Sequence, residues 1–246
     1  MPARVIHVSA GVLVDRRRRI LIAQRPPGKH LAGAWEFPGG KLEPGEKPVA
    51  GLKRELREEI GVEIDRPRPL LRLRHTYPHG DVLLDVWVIR RFRGEPRSLD
   101  GQALRWCSLR ELEAAADLLP ADRPIVGALR LPERLRRVSS VPYEVGTLEW
   151  LAAARGRLSG TLEEARAPPS RGRGVQPRLL RGVLCRDAHE AEAAAAAGAD
   201  FLAMYERLSA AELADLCARV DAPVFARGVG LERAWGLGAT GINSIL

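Results

Sequence analysis

Lysine is scarce in this chain, since only four of its 39 basic residues are lysine. The net charge of +8 therefore reflects a compositional bias toward arginine as much as a binding surface. Aromatic residues make up only 5% of the sequence, and no basic stripe is interleaved with them. Stable binding of nucleic acid is therefore not expected. A mildly positive pocket that attracts polyphosphate is the more economical interpretation.

Cysteine and long apolar runs are also scarce. The three cysteines, Cys107, Cys185 and Cys217, are odd in number and far apart, which favours free thiols in a reducing cytoplasm. No apolar run approaches the ~20 residues that span a bilayer, and the N-terminus lacks a secretory signal pattern. We therefore expect a cytoplasmic protein without membrane contact. A length of 246 residues with 46% hydrophobic content allows one ordinary domain plus a smaller one.

A helix is predicted between Pro48 and Gly61. Proline suits the first turn of a helix, where its missing N–H costs nothing, and glycine suits the position just past the end. Between them, apolar residues recur at spacings of three and four and form one face: Val49, Leu52, Leu56 and Ile60. One side of this helix is therefore expected to pack on a core.

The charges of this helix are sorted by sign. At about 100° per residue, three carboxylates fall on one side of the apolar stripe: Glu55, Glu58 and Glu59. The cations are expected on the other side: Lys53, Arg54 and Arg57. Neighbouring carboxylates repel one another, and a hard cation such as Mg²⁺ or Mn²⁺ relieves that repulsion. A solvated acidic face is the alternative for a generic helix of this composition.

The spacing around this helix resembles the Nudix box, G-x5-E-x7-R-E-U-x-E-E-x-G-U with U apolar. Gly40, Glu46, the run 54–59 and the pair 61–62 fill every fixed position without a gap. The resemblance implies an α/β/α sandwich with a mixed sheet. It also implies an enzyme that uses a divalent metal to hydrolyse a nucleoside diphosphate linked to another group.

Residues 4–130 further resemble the MutT-type Nudix hydrolases, the 8-oxo-dGTP diphosphatases. That likeness implies a substrate site made of these residues: Arg25, His30, Glu36, Phe37, Pro38, Gly39 and Asp122. It places the Gly39 carbonyl with Glu55, Glu58 and Glu59 around the metal. Simpler interpretations stay open, because Arg25 and His30 could be solvated and Phe37 could be a core aromatic.

Two aspartates extend the resemblance. Asp100 matches an acidic residue that the family has ahead of a Gly-Gln pair, although it is also a good turn former. Asp122 stands where the family reads the oxidised guanine with Asn. An ionised Asp only accepts hydrogen bonds, whereas Asn both donates and accepts. Asp122 could accept from a guanine, or it could cap the following helix.

The mechanism implied is metal-assisted attack of water on the β-phosphorus, which releases nucleoside monophosphate and pyrophosphate. Glu55 or Glu58 takes the proton, with Asp100 as a further possibility. Arg54 is expected to orient a carboxylate through a bidentate pair, and Glu46 to tie the loop to the helix. The leading function is 8-oxo-dGTP hydrolysis in nucleotide-pool sanitation. Hydrolysis of another nucleotide or nucleoside diphosphate derivative is the alternative.

Alternation of apolar residues predicts the elements of the first half. Strands are expected at 4–14, 19–25, 70–76, 82–90 and 104–107, and helices at 109–116 and 123–130. A strand at 135–141 and a helix at 147–158 follow, and 167–177 reads as a Pro/Gly/Arg-rich loop. We expect a Nudix domain over 1–131, a connecting region over 132–177 and a partial domain over 178–246.

The last seventy residues alternate between strands and helices. Strands are predicted at 180–185, 201–205, 224–226 and 241–245, and helices at 188–197, 210–219 and 231–237. This order indicates a parallel sheet with right-handed crossovers. Segments 183–188, 198–201, 223–228 and 238–242 resemble thiamine-phosphate synthase and its TenI-like relatives. The likeness implies an incomplete (β/α) TIM-barrel-like segment, and a regulatory module whose tail binds a thiamine-related phosphate is a further alternative. The sequence indicates no oligomeric state.

Overall fold

A computed structural model describes residues 5–78, 80–135, 143–146 and 180–243 of the chain. Contacts group the chain into two units, Met1–Val126 and Gly127–Leu246. Each unit has its own hydrophobic cluster. Within the described ranges, no helix is long and apolar enough to cross a membrane.

The described strands of the first unit are numbered here in chain order: β1 (Ile6–Leu13), β2 (Ile20–Gln24), β3 (Trp35–Glu36), β4 (Gly39–Lys41), β5 (Glu63–Asp65), β6 (Arg68–Tyr77), β7 (Gly80–Ile89), β8 (Arg91–Arg93) and β9 (Leu104–Cys107). Its helices follow: α1 (Pro48–Ile60), α2 (Leu109–Ala114) and α3 (Arg123–Ala128), with a 3-10 turn at Pro120–Asp122.

The strands of the first unit form a mixed sheet and two antiparallel groups. The mixed sheet has the order β4-β1-β7-β6. In it, β1 runs parallel to β7 and antiparallel to β4, while β6 and β7 form an antiparallel hairpin. A second sheet places β2 between β3 and β9, and β5 pairs with β8. The mixed sheet expected from the resemblance is therefore confirmed.

Helix α1 docks through its apolar face. Leu52, Leu56 and Ile60 are fully buried in a cluster with residues of the sheets and the following strand: Leu13, Leu21, Val62, Ile64 and Ile89. Burying each of these side chains contributes about 1.5–3 kcal/mol. The helix ends where Gly61 adopts a left-handed φ of 69° and its N–H donates to the Arg57 carbonyl, as the sequence predicts.

Gly11 of β1 lets α1 approach the sheet closely. A Cβ at Gly11 would lie 2.8 Å from Cδ1 of Ile89 and 3.1 Å from Cδ1 of Leu56. A side chain at this position would push on the ends of both apolar chains, and glycine avoids that contact. Gly11 therefore favours a close approach of α1 to the sheet, which in turn affects where the carboxylates of α1 lie.

The predicted strands and helices of the first unit are present, with ends shifted by a few residues. Sequence analysis missed β3, β4, β5 and β8, which have only two or three residues each. Such strands are too short to show alternation. They form because longer neighbours supply partners, as when β4 pairs with β1 over Lys41, Gly40 and Gly39.

The second unit contains a parallel sheet. Its described strands are β10 (Arg134–Leu135), β11 (Tyr143–Gly146), β12 (Leu180–Cys185), β13 (Phe201–Met204), β14 (Val224–Ala226) and β15 (Gly241–Asn243). Its described helices are α4 (Ala188–Ala196), α5 (Ala210–Arg219) and α6 (Leu231–Gly236). The strand order is β10-β15-β14-β13-β12-β11, and every recorded pair is parallel. The predicted parallel sheet is therefore present.

Both faces of this sheet are apolar. On one face, Val183 and Leu202 lie in a cluster with helix residues such as Leu216 of α5, and the other face holds Phe201 and Phe225. A parallel sheet covered on both faces requires such continuous apolar strands. The first strand of the unit, β10, pairs with its last, β15, so the two ends of the unit meet at one side of the sheet.

Part of the predicted connecting region belongs to this sheet. Strands β10 and β11 lie within 132–177, and Leu135 of β10 is fully buried against Phe201 and Phe225. Apolar burial draws this segment into the second unit. The division into domains at 131 and 177 stays a prediction. The helix expected at 147–158, the loop at 167–177 and most of the strand at 135–141 lie outside the described residues.

Replacing Leu56 with alanine should lower the free energy of unfolding of the first unit by about 2–5 kcal/mol, since the change leaves a cavity in a fully buried site. Urea unfolding followed by circular dichroism measures the loss. The matched control is Arg57→Ala, one residue along and exposed, which should change stability by less than about 0.5 kcal/mol. Equal losses in both variants would contradict the docking of α1.

Candidate active site

The three glutamates of α1 occupy different environments. The Glu55 carboxylate lies against Gly40, where an added Cβ would be 2.2 Å from Oε2. Oε2 of Glu59 accepts a hydrogen bond of 3.2 Å from the Gly39 N–H. Glu58 faces solvent, with 61% of its side chain exposed. The helix thus holds two carboxylates against β4 and one at the surface.

Glu59 shows the electrostatic strain of this arrangement. Its pKa is raised to about 7: burial is the largest cause, the Gly39 N–H opposes it, and the negative charges of Glu55 and Glu36 act in the same direction as burial. Clustered carboxylates that resist ionisation favour a nearby cation. The sequence alone indicates the repulsion, but the burial of Glu59 depends on how α1 docks.

Arg54 lies with the glutamates. Its Nε and Nη2 donate to Glu46 at 3.0 and 2.8 Å, and Nη1 donates to Glu55 at 2.8 Å and to Glu58 at 3.2 Å. The hydrogen bonds to Glu46, first, and to Glu55 raise the pKa of Arg54. The expectation that Arg54 lies opposite the carboxylates is wrong, because Glu58 is one turn away on the same face and the long side chain reaches both neighbours.

The donor set fits a hard divalent cation, although its oxygens do not converge on one point. Among the described residues, no three His, Cys, Asp or Glu side chains are gathered as metal ligands. Glu55 and Glu58 accept from Arg54, and Glu59 accepts from Gly39. Anionic oxygen ligands under mutual repulsion nevertheless match the preference of Mg²⁺ or Mn²⁺. The Gly39 carbonyl as a further ligand stays a prediction.

The loop that contains Asp100 is tied to the end of α1. The side chain of Gln102 donates to the Glu59 carbonyl at 3.1 Å and accepts from the Asp100 N–H at 3.1 Å. The Leu99 N–H donates to the same carbonyl at 3.0 Å. Gln102 is buried, and sequence analysis missed it as a positioning residue. Asp100 itself is exposed, and among the described residues no hydrogen bond or ion pair joins its carboxylate to the glutamates of α1.

A second polar group lies at the start of β3. Nη1 of Arg25 pairs with Glu36, and Nε of Arg25 donates to the His30 carbonyl at 2.8 Å. Burial raises the pKa of Glu36, while Arg25 lowers it. The structure therefore brings together three of the residues that the resemblance assigns to substrate. Pro38 and Phe37 are buried beside them.

Asp122 is buried, with 4% of its surface exposed. Its Oδ2 accepts a hydrogen bond of 3.0 Å from the Phe37 N–H. Its pKa is raised to about 8: burial is the largest cause, the negative charge of Glu36 acts in the same direction, and the Phe37 N–H and Arg25 oppose the rise. This raised pKa favours the protonated form of Asp122 near pH 7, whereas the sequence analysis considered the ionised form. A protonated carboxyl donates one hydrogen bond as well as accepting.

Tyr77 is a site residue that sequence analysis missed. Its ring meets His30 edge-on at 5.6 Å and His75 at 4.4 Å between centroids. Burial is the largest cause that raises its pKa, and the negative charge of Asp122 raises the pKa as well. It ends β6, and the sequence marks it only as the residue before the hairpin turn. Its closeness to Asp122 depends on contacts between distant segments that no local pattern shows.

Comparison with known proteins identifies the family. Residues 9–128 match the NUDIX domain. The 8-oxo-dGTP diphosphatase of Escherichia coli is 34% identical over 125 residues, which are 51% of this chain and 96% of that protein. The CTP pyrophosphohydrolase of Escherichia coli is 38% identical over 125 residues, 51% of this chain and 91% of that protein. A MutT NUDIX hydrolase structure from Burkholderia pseudomallei is 27% identical, with a TM-score of 0.48 and coverage of 51% and 98%.

This chain belongs to the Nudix family, and its first unit is a Nudix hydrolase domain. The predictions of the family and of a hydrolase are thereby confirmed. The aligned segments of these relatives cover about half of the chain, so they describe the first unit and not the second.

Replacing Gly40 with alanine should displace the Glu55 carboxylate, because the new methyl group would overlap it. We expect weaker Mn²⁺ binding, measured by electron paramagnetic resonance, and loss of hydrolysis, with an unchanged circular dichroism spectrum. The control is Gly236→Ala, whose Cβ would meet nothing within 4 Å. Normal Mn²⁺ affinity and normal turnover in Gly40→Ala would show that the observed position of Glu55 does not matter.

Proposed function

We propose that this chain hydrolyses 8-oxo-dGTP to 8-oxo-dGMP and pyrophosphate with Mg²⁺ or Mn²⁺. The main support is that α1 holds Glu55 and Glu59 against Gly40 and Gly39, with Glu58 open to solvent beside them. The similarity to an 8-oxo-dGTP diphosphatase over nearly its whole length is consistent with this. The biological role would be removal of oxidised nucleotides before replication and repair use them.

The protein residues divide into three roles. Glu55, Glu58 and Glu59 would hold the metal, which supplies charge neutralisation at the phosphates and a lowered pKa for bound water. One of Glu55 and Glu58 would accept the proton of the attacking water. Arg54 restrains both through its hydrogen bonds, and its bidentate pair with Glu46 fixes the guanidinium. Asp100 would act only if its loop brought it to the phosphates.

Asp122 would read the base in its protonated form. Guanine presents O6 as an acceptor, and N7 is also an acceptor until oxidation at C8 turns it into an N–H donor. A neutral carboxyl can donate to O6 and accept from N7–H at once. Unoxidised guanine would instead place its N7, an acceptor, opposite the accepting oxygen of the Asp122 carboxyl. The buried Asp122 can thus replace an asparagine in selecting the oxidised base, with Arg25, His30, Glu36, Phe37 and Pro38 forming the surrounding site.

A cytidine nucleotide is the second candidate substrate. The CTP pyrophosphohydrolase is 38% identical to this chain over the same number of residues as the diphosphatase. Cytosine presents its N4 amino group as a donor, and an ionised Asp accepts from that group. The protonation state of Asp122 therefore matters for the oxidised purine, which needs a donor to O6 beside an acceptor, whereas either form can accept from the cytosine amino group.

We also propose that the second unit is a shortened relative of the thiamine-phosphate synthase barrels. Its described strands are all parallel, and the first of these pairs with the last, as in a closing barrel. Both faces of the sheet are apolar, as barrel strands require. The kinship concerns the fold, and it gives no activity by itself.

Changing Glu58 to glutamine should reduce turnover of 8-oxo-dGTP by about 100-fold or more, because it removes a charge needed at the metal or at the attacking water. Pyrophosphate release under saturating Mg²⁺ measures the effect. The matched control is Glu63→Gln, an exposed carboxylate on β5, which should keep normal turnover. A Glu58→Gln protein with undiminished turnover would refute the assignment.

The preference for 8-oxo-dGTP over dGTP should fall as pH rises through about 8, because Asp122 then loses its donated proton. The ratio of kcat/KM for the two substrates at pH 6.5 and pH 8.5 measures it, and losing one hydrogen bond corresponds to about tenfold. The control is Asp122→Asn, which cannot titrate and should show a ratio that varies much less with pH. If the ratio of kcat/KM varied with pH in the same way in the wild type and in Asp122→Asn, recognition of the base by a neutral Asp122 would be contradicted.

A further inference from the structure

The carboxyl ends of the strands in the second unit meet at one edge of the sheet. Because β12, β13 and β14 are parallel neighbours, the residues that follow them lie at the same edge. Arg186 follows β12, the run 205–207 follows β13, and Arg227 follows β14. Open parallel sheets bind ligands at this edge. An arginine lies in the segment after each of these three adjacent strands, so this edge carries several guanidinium groups.

Arg227 is only partly exposed and lies over an aromatic ring. Its Cζ is 5.1 Å from the ring centroid of Tyr205, and Tyr205 is 44% exposed. Nη1 of Arg227 is buried and has no hydrogen-bond partner among the described residues. A buried guanidinium N–H without an acceptor is costly. The Tyr205 ring covers one face of the guanidinium, and Nη1 still lacks an oxygen acceptor.

Arg207 lies close to the same place. A Cβ added to Gly228 would be 3.0 Å from Cδ of Arg207, so the arginine side chain crosses the start of the loop after β14. Gly228 has a φ of 70°, a left-handed conformation that glycine adopts without strain. Because Gly228 has no side chain, Arg207 can lie next to it. Gly228 directly follows Arg227, so the two arginines lie near the same loop.

The acidic residues at this edge are partly engaged elsewhere. Glu190 accepts from Nε of Arg186 at 3.1 Å, and Asp187 accepts from the Glu190 N–H at 2.8 Å, where it caps α4. Glu206 is exposed and lies between Tyr205 and Arg207 in the sequence. The ends of β13 and β14 therefore combine two guanidinium groups with one carboxylate, and the balance favours an anion.

We propose that the edge formed by Tyr205, Arg207 and Arg227 binds a small molecule that bears an oxyanion group. Arg227 is the principal donor, because a guanidinium matches the paired oxygens of a phosphate or carboxylate. Arg207 supplies a second positive charge, and the Tyr205 ring holds the guanidinium of Arg227 in place. The site belongs to the second unit and is independent of the hydrolysis proposed for the first.

Calorimetric titration of the full chain with inorganic phosphate, and separately with malonate, tests this proposal. EDTA is included so that no metal recruits phosphate to the glutamates of α1. We expect saturable binding of at least one anion, and the arm that binds identifies a phosphate or a carboxylate ligand. Arg227→Leu should weaken that binding by about tenfold or more. The matched control is Arg181→Leu at the opposite end of β12, which should bind normally.

Nucleotide hydrolysis and the thermal melting curve of each variant report whether the protein is folded. If Arg227→Leu does not fold, Arg227→Lys replaces it. Lysine keeps the charge but loses the paired donors, so weaker binding is again expected. The proposal is overturned if neither anion binds the wild-type chain. It is also overturned if a folded Arg227 variant binds as tightly as the wild type and Arg181→Leu.

Discussion

The close contact between α1 and β4 is the constraint on which the active site depends. The Glu55 carboxylate occupies space that a side chain at Gly40 would fill, and Gly11 leaves room beside the end of Leu56. The apolar stripe of the helix supplies the free energy that holds it there. Two glycines and one buried face therefore position a set of like charges that would otherwise separate.

Arg54 explains how these charges coexist before a cation binds. It contacts Glu46, Glu55 and Glu58 at the same time, so one guanidinium offsets part of the repulsion among several carboxylates. The rigid planar geometry of arginine allows a bidentate pair on one side and single hydrogen bonds on the other. A lysine would supply the positive charge but not a bidentate pair with one carboxylate and single hydrogen bonds to the others. The arginine thus organises the carboxylates rather than balancing them from the opposite face.

Local patterns predicted the elements but not the contacts between them. The bounds of α1, β9 and α5 follow the predictions closely, because apolar spacing and end signals are local. The pairing of Phe37 with Asp122 joins residues 85 positions apart, and no spacing reveals it. The same limit applies to Tyr77 and Gln102, whose neighbours come from other segments. The helix-face argument failed for Arg54 because angular position ignores the reach of a long side chain.

The burial of Asp122 links folding of the first unit to proton uptake. In the unfolded chain this carboxyl ionises near its ordinary value of 3.8, whereas burial raises its pKa in the folded protein to about 8. At neutral pH the folded state therefore binds a proton that the unfolded state does not. This group opposes folding increasingly as pH rises from about 4 to about 8, and the opposition is constant above that range. The buried carboxyl of Asp122 thus lowers stability at neutral pH, so other contacts of the unit must offset it.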